Sequence, residues 1–459
     1  MNILAVSLVA NAQFSQGLPV QAEPLPRRGA LGLSFSPAPP EVVAAHKLAS
    51  GQGLVCQAPI KGLTAEKIGL KAGDIVLTLN GKPVSASMIG STIRETKSGS
   101  TLNFQVVRDG KVIDVAGTLL EKPRDPGTAD YSVTYSHVVS HGERMRTIIT
   151  TPKRPGKFPA LFFIQGFSPI SYDFTLEGSK GDVTTLDGPI LYEFAKSGFV
   201  TMRIEKPGVG DSEGGPFPQL DYTTELDIYR QALKQLKALP EVDPSNVFIF
   251  GHSMGGAFGP MIACEEPVKG IAVYGTAART WFEYLLDTLR YQGILGGDSY
   301  EQADELVRQS SRLMALVFHE DKSIAEIKKT HPQLSQLADQ LMPGGFFNGK
   351  SLKFWDQLSD TNFPYYWARC NAHVLAARGI SDFVTYDADH RLIADIVNKK
   401  NPGWGRFESV PNSDHLFHDF PTEADALKGY SKGTFNPAFT NLLMKWVRDV
   451  IADKGSKPG

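Results

Sequence analysis

The sequence predicts an α/β fold, a mostly parallel sheet with helices on both faces and a helical cap insertion, preceded by a small N-terminal α+β domain. Three observations predict it. Short β-branched or aromatic runs alternate with helical patterns over most of the chain, the order that builds a parallel sheet covered on both sides. A glycine-flanked serine, Gly251-His252-Ser253-Met254-Gly255-Gly256, follows directly on the run Val247-Phe248-Ile249-Phe250. The segment from Arg28 to Leu120 has another grammar, with short strands, hairpin turns and one small helix. At 459 residues the chain exceeds one ordinary domain, and 42% apolar residues suffice for packed cores.

Residues 1–22 read as a leader. Asn2 to Ala12 is a short apolar stretch ending Ala10-Asn11-Ala12, similar to the core and small-residue cleavage site of a secretory signal, which points to a periplasmic or secreted protein. It is too short to cross a bilayer, and no transmembrane segment is expected. Residues 28–120 form the small domain and 121–130, rich in Pro, Gly and charge, the linker. Residues 131–459 hold the α/β domain. Its expected strands include Ala160–Ile164, Phe199–Ile204, Val247–Phe250, Val268–Tyr274, His373–Ala377 and Arg406–Val410. Tyr192 to Lys196 reads as a helix. Leu226, Ile228, Tyr229, Ala232, Leu233, Leu236 and Leu239 share one face of another, and Asn436 to Ala452 closes the chain as an amphipathic helix.

Between Thr276 and His373 the chain is far longer than an ordinary connection, which predicts a cap over about 280–368. Helical patterns start at Leu285, run from Ala303 to His319, and recur around Leu334 to Leu341. Aromatics concentrate there, among them Trp281, Tyr284, Phe354, Trp355, Phe363 and Trp367. Most should fill cores and some should stand over Ser253, favouring a substrate with an apolar or aromatic part.

A serine hydroxyl is a poor nucleophile until it is held clear of the backbone beside a base and oxyanion donors. The glycines around Ser253 allow a sharp strand-to-helix turn that does this, with the Met254 N–H facing the oxyanion. The acid and base should follow in that order, each just after a strand. Asp382, on the loop beyond His373–Ala377, is the expected acid, with Asp387 and Asp389 as rivals. His415, after Arg406–Val410, is the expected base. His418 and His390 are the alternatives, expected at the surface or behind the site.

These segments resemble the α/β-hydrolase superfamily from about Tyr131 onward. Gln165-Gly166-Phe167 stands where that family usually has His-Gly-x, so the resemblance makes the Phe167 N–H the second oxyanion donor, with a glutamine replacing the histidine. Glu205 to Gly214 is similar to the family's Asp-x-Arg-Gly-x-Gly-x-Ser loop and reads as a tight turn that supports the fold rather than the chemistry. The resemblance implies acyl transfer to water through Ser253, His415 and Asp382. Carboxylic ester hydrolysis is the first expectation. A peptidase resembling prolyl oligopeptidases is the second, and a non-catalytic binding protein the third.

Arg28-Gly29-Ala30-Leu31-Gly32-Leu33, Gly62 to Val76 and Leu79 to Val84 resemble a PDZ domain, most nearly those of bacterial extracytoplasmic serine proteases. That resemblance implies that Leu31, Gly32 and Leu33 present backbone N–H groups to a peptide C-terminal carboxylate while the peptide adds a strand to the sheet. A domain that only packs on its neighbour is the alternative.

Formal charge is −2 with no basic run, which argues against nucleic acid as a partner. Cys56, Cys264 and Cys370 are scattered and odd in number, and read as core thiols rather than a disulfide framework. Histidines lack metal-ligand spacing, so neither metal nor cofactor is implied.

Overall fold

The structure, a computed structural model, describes residues 25–49, 51–179 and 186–453; the expected leader at 1–22 lies outside them. The N-terminal domain holds β1 (Phe35–Pro37), β2 (Leu54–Cys56), β3 (Ile75–Leu79), β4 (Lys82–Pro83), β5 (Thr101–Arg108) and β6 (Lys111–Thr118). They form one antiparallel sheet in the order β1-β2-β3-β5-β6, with β4 hairpinned onto β3. Local chemistry sets both tight hairpins. Asn80-Gly81 and Asp109-Gly110 all take positive φ, the conformation a two-residue turn needs to match the twist of its strands. Leu54, Val76, Leu102, Phe104 and Val106 give this sheet a core of its own.

The second sheet is built from β7 (Tyr131–Ser140), β8 (Glu143–Pro152), β9 (Phe158–Ile164), β10 (Val200–Ile204), β11 (Val242–His252) and β12 (Gly270–Tyr274). After a small cap hairpin, β13 (Phe346–Phe347) with β14 (Lys350–Ser351), it is completed by β15 (His373–Gly379) and β16 (Gly405–Val410). Eight strands lie in the order β16-β15-β12-β11-β9-β10-β8-β7. The run from β16 to β10 is parallel, while β8 and β7 turn antiparallel at one edge. Parallel strands are covered on both faces and therefore read as unbroken apolar runs; Val247 to Phe250 are completely buried. One core lies beneath the helices Tyr222–Ala238 and Gly255–Glu265 and the cap, and the other beneath Gly188–Lys196 and Ala438–Ala452. Because the strands run parallel, β11, β15 and β16 all end at the same edge, and the segments carrying Ser253, Asp382 and His415 leave from there.

Capping residues cut the cap into helices. Thr280 with Glu283, Ser299 with Gln302 and Ser323 with Glu326 form reciprocal capping boxes for Trp281–Gly296, Tyr300–Phe318 and Ile324–Thr330. The helix expected around Leu334 to Leu341 is shorter, Ser335–Leu341, and is set off from its predecessor by a single turn that opens at Pro332.

The segment 121–130 differs from a free linker. Asp125 is buried and accepts from the amides of Gly127 and Leu176 at 2.9 and 3.0 Å. The Arg27 guanidinium donates to the carbonyls of Lys122 and Pro123 at 2.9 and 2.8 Å. One correction concerns the thiols: Cys56 and Cys370 are buried, but Cys264, in the last turn of Gly255–Glu265, is exposed.

Candidate active site

Ser253 occupies the turn between β11 and the helix Gly255–Glu265 at φ +54°, a strained conformation for a residue with a side chain. Its N–H donates to the Tyr274 carbonyl at 2.9 Å, and its own carbonyl accepts from Gly256 at 2.9 Å. The glycines are needed for contact distance. A Cβ at 251 would lie 2.6 Å from the Gly255 oxygen, and one at 255 would lie 2.1 Å from the Ile164 oxygen.

The structure brings the three expected side chains together. His415 Nε2 is 3.0 Å from Ser253 Oγ, and His415 Nδ1 is 3.0 Å from Asp382 Oδ2. A carboxylate only accepts, so Nδ1 carries the proton and Nε2 is left to take the serine's. Asp382 is fully buried and its orientation is fixed. Oδ1 accepts from the amides of Val384 and Thr385 at 2.7 and 3.1 Å, and Oδ2 also accepts from the Thr385 hydroxyl at 2.6 Å. Burial alone would push its carboxyl up, but His415, Thr385 and Arg378 together hold it well below the usual carboxylate range. Gly275, at φ +62°, lies against the pair; a Cβ there would be 2.8 Å from His415 Nδ1.

Among the described residues, the amides of Met254 and Phe167 donate to no protein acceptor. Lys206 sets the loop that carries Phe167. Its buried ammonium donates to the carbonyls of Gly166 and Phe167 at 2.6 and 2.9 Å and sits 2.7 Å from Glu225, which also pairs with Lys350 at 2.8 Å. Burial pushes Lys206 down to about 8. Glu225, which burial would push up, is held below its usual value by the two lysines. Gln165, in the histidine's place, donates to the Ile204 carbonyl at 2.8 Å and ties β9 to β10.

A second buried group steadies the base. His252 Nε2 lies 2.9 Å from the His415 carbonyl, and its Nδ1 lies 3.2 Å from Asp187, which accepts from the Tyr172 hydroxyl at 2.8 Å. Burial disfavours the charged ring, yet Asp187 and the His415 carbonyl raise its pKa above the ordinary value.

The rival residues have other tasks. His390 and His418 are both buried. His390 Nε2 accepts from the Thr276 amide at 3.1 Å, and His418 Nδ1 lies 3.5 Å from Asp414. Asp389 accepts from the amides of Ala278 and Arg279, and Asp387 pairs with Arg378.

Sequence reasoning missed Lys206, Glu225, Lys350, Asp187 and Gly275. Only Lys206 left a signal, a charged residue two positions after a fully buried strand. The loop expected to be a simple turn also contains Glu205, completely buried, accepting from the Ser171 hydroxyl and from the Asp211 amide at 2.8 Å. Burial pushes this carboxyl up to about 6, despite those hydrogen bonds. The folded chain therefore keeps a proton that the unfolded chain releases, and stability falls as pH rises through the window between the ordinary value and about 6. Glu205→Gln is expected to lose this slope. Whatever the amide costs at acid pH, the balance should move by about 2 kcal/mol in the variant's favour between about pH 4 and 7, read by urea unfolding at both pH values.

Over Ser253 lies a cavity of about 350 Å³. Phe167, Trp281, Tyr284, Trp355 and Phe363 line it, and no Asp, Glu, Lys or Arg side chain does. Phe354 and Trp367 are buried but do not line it, and Tyr365 is exposed, so the cap's aromatics divide between packing and wall.

In the small domain, Gly32 takes φ +71°, and a Cβ there would lie 2.4 Å from Leu63 Cβ. The carbonyls of Leu31 and Gly32 accept from Ala65 and Ile60 at 2.8 Å each. The amides of Leu31, Gly32 and Leu33 donate to nothing among the described residues.

Comparisons with known proteins agree with this division. A PDZ domain model matches residues 29–119, and the model described as the alpha/beta hydrolase family matches 165–426. The chain is 30% identical over 149 residues to the esterase EstD of Thermotoga maritima, covering 32% of this chain and 34% of that protein. It is 35% identical over 101 residues to a probable periplasmic serine endoprotease, DegP-like, of Chlamydia pneumoniae, covering 22% and 21%. The chain thus spans about a third of the first relative and about a fifth of the second. Among solved structures, Est1E from Butyrivibrio proteoclasticus aligns with a TM-score of 0.42 at 12% identity, over 70% of this chain and 99% of that one. With the hydrolase model covering more than half of its length, the chain belongs to the alpha/beta hydrolase family and carries a PDZ domain ahead of the hydrolase fold.

Proposed function

We propose that the protein is a serine esterase acting on carboxylic esters with an uncharged apolar or aromatic acyl or alcohol part. The observation that carries the reading is the pair of 3.0 Å contacts linking Ser253, His415 and Asp382 beneath a largely apolar cavity that no Asp, Glu, Lys or Arg side chain lines. His415 Nε2 takes the proton from Ser253 Oγ as the oxygen bonds to the ester carbonyl carbon. The oxyanion settles on the N–H groups of Met254 and Phe167. His415 then gives its proton to the departing alcohol, whose bond to the acyl carbon breaks. It next deprotonates a water molecule that attacks the acyl-serine, and the proton returns to Ser253 as the acid leaves. Asp382 holds the imidazole in the required tautomer throughout.

The free amides of Leu31, Gly32 and Leu33 favour a second reading, a peptidase whose PDZ domain takes a peptide C-terminal carboxylate. A set of p-nitrophenyl esters and peptide p-nitroanilides tests both. On esters, kcat/KM should rise about fourfold per added acyl methylene until the cavity fills, and fall sharply when the acyl chain ends in a carboxylate. Cleavage of anilides alone would overturn the esterase reading. Absence of any fluorophosphonate adduct on Ser253 in folded protein would leave only a non-catalytic binding role. The PDZ relatives are named as periplasmic, which supports an extracytoplasmic location for this chain.

A further inference from the structure

We infer that Arg27, at the entry to the PDZ domain, is a positioning residue for the oxyanion loop, so that the PDZ domain's base forms part of the catalytic unit. The inference rests on the reading of the Phe167 amide as an oxyanion donor. The Arg27 side chain is 1% exposed, and one of its nitrogens lies 2.6 Å from Asp173 and 2.5 Å from Asp211. These two carboxylates belong to the two segments that define the oxyanion loop. Asp173 lies on the stretch that continues from Phe167. Asp211 lies on the loop after β10, where its amide donates to Glu205 at 2.8 Å.

Glu205 closes the circuit by accepting from the Ser171 hydroxyl. Its neighbour Lys206 donates to the carbonyls of Gly166 and Phe167. The packing leaves no slack, since a Cβ at Gly210 would lie 1.6 Å from the Glu205 carboxylate. The PDZ side is fastened as firmly. The Arg28 amide donates to Asp211 at 2.8 Å, its side chain donates to the Ser212 carbonyl at 2.6 Å, and Lys122 lies 3.6 Å from Asp173. Tyr135, beneath the Arg27 guanidinium at 4.7 Å, donates its hydroxyl to Asp173 at 2.7 Å.

Without Arg27, two carboxylate oxygens no more than about 5 Å apart would lose the one cation they share, Asp211 keeping Arg146 at 3.2 Å and Asp173 keeping Lys122 at 3.6 Å. The clamp that joins the two segments is then lost and their mutual repulsion only partly offset, and the element free to yield is the stretch from Phe167 to Asp173. A displaced oxyanion donor weakens binding of the transition state and leaves substrate binding alone, so kcat should fall while KM stays.

The test measures kcat and KM on one p-nitrophenyl ester for the full chain and for Arg27→Gln, Arg27→Lys and Ser171→Ala, with Ser253→Ala as reference. Arg27→Gln is expected to lower kcat about 10- to 100-fold with KM within about twofold. Arg27→Lys should recover much of the loss, and Ser171→Ala should show the same split between kcat and KM. Wild-type kcat in folded Arg27→Gln, or a loss confined to KM, overturns the proposal. Should Arg27→Gln not fold, Asp211→Asn, which is isosteric, takes its place under the same criteria. Ser171→Ala alters a half-buried hydroxyl that threatens no core, and unchanged kcat there overturns the proposal by itself. Hydrolysis surviving in Ser253→Ala overturns the esterase reading instead, which keeps the two failures apart.

Discussion

Ser253→Ala is expected to lower kcat by about 10⁶-fold and to abolish fluorophosphonate labelling, with the melting temperature nearly unchanged. The size of the loss follows from the mechanism, because no other hydroxyl is placed at His415 Nε2 and the oxyanion amides would then have no covalent adduct to stabilise. The unchanged stability follows from the backbone. Alanine meets the same steric penalty at φ +54° as serine does, and Oγ of the half-buried Ser253 makes a single protein hydrogen bond, to a ring nitrogen at the cavity wall. A variant that is inactive and folded separates chemistry from architecture, and the readout is ester turnover beside a thermal melt.

Asp382→Asn is expected to cost about 10⁴-fold in kcat, through the tautomer of His415 rather than through its position. Oδ1 must accept from two amides, Val384 and Thr385, so the asparagine carbonyl is pinned there and its NH₂ is turned toward His415 Nδ1. Two donors cannot face each other. The imidazole responds by moving its proton to Nε2, where it confronts the serine hydroxyl and can no longer accept its proton. Imidazole ¹⁵N chemical shifts read the tautomer directly, and an Nδ1–H ring in the variant would refute the argument. Since the Asp382 carboxyl is held well below the usual range, the acid limb of the wild-type rate profile should not report its titration.

What the sequence made legible was local. The elbow shows because its glycines, its serine and the strand before it lie within ten consecutive positions, and Val247–Phe250 of β11, β12 and Val374–Ala377 of β15 show because burial on both faces leaves unbroken apolar runs. Order along the chain located Asp382 and His415, since each follows a strand that ends at one sheet edge. What stayed hidden was pairing across long separations. Lys206, Glu225 and Lys350 come from a loop, a helix and the cap hairpin, and none carries a pattern that predicts the others. Asp187 reaches His252 from the start of a helix on another segment. His390 and His418, expected at the surface or behind the site, are both buried. Their partners, the Thr276 amide and Asp414, become visible only once the chain is folded.

The guanidinium of Arg27 grips the carbonyls of Lys122 and Pro123, so the chain enters and leaves the PDZ domain through one doorway. A module attached at a single point on its host behaves like an insertion into a surface turn rather than a bead on a string. Such a module can be lengthened, shortened or exchanged without redrawing the host's path, provided the clasp at its neck is kept. It also cannot swing freely, because any large rotation would have to draw a charge out of the protein interior. Whatever the domain binds is therefore held at one fixed bearing to the hydrolase.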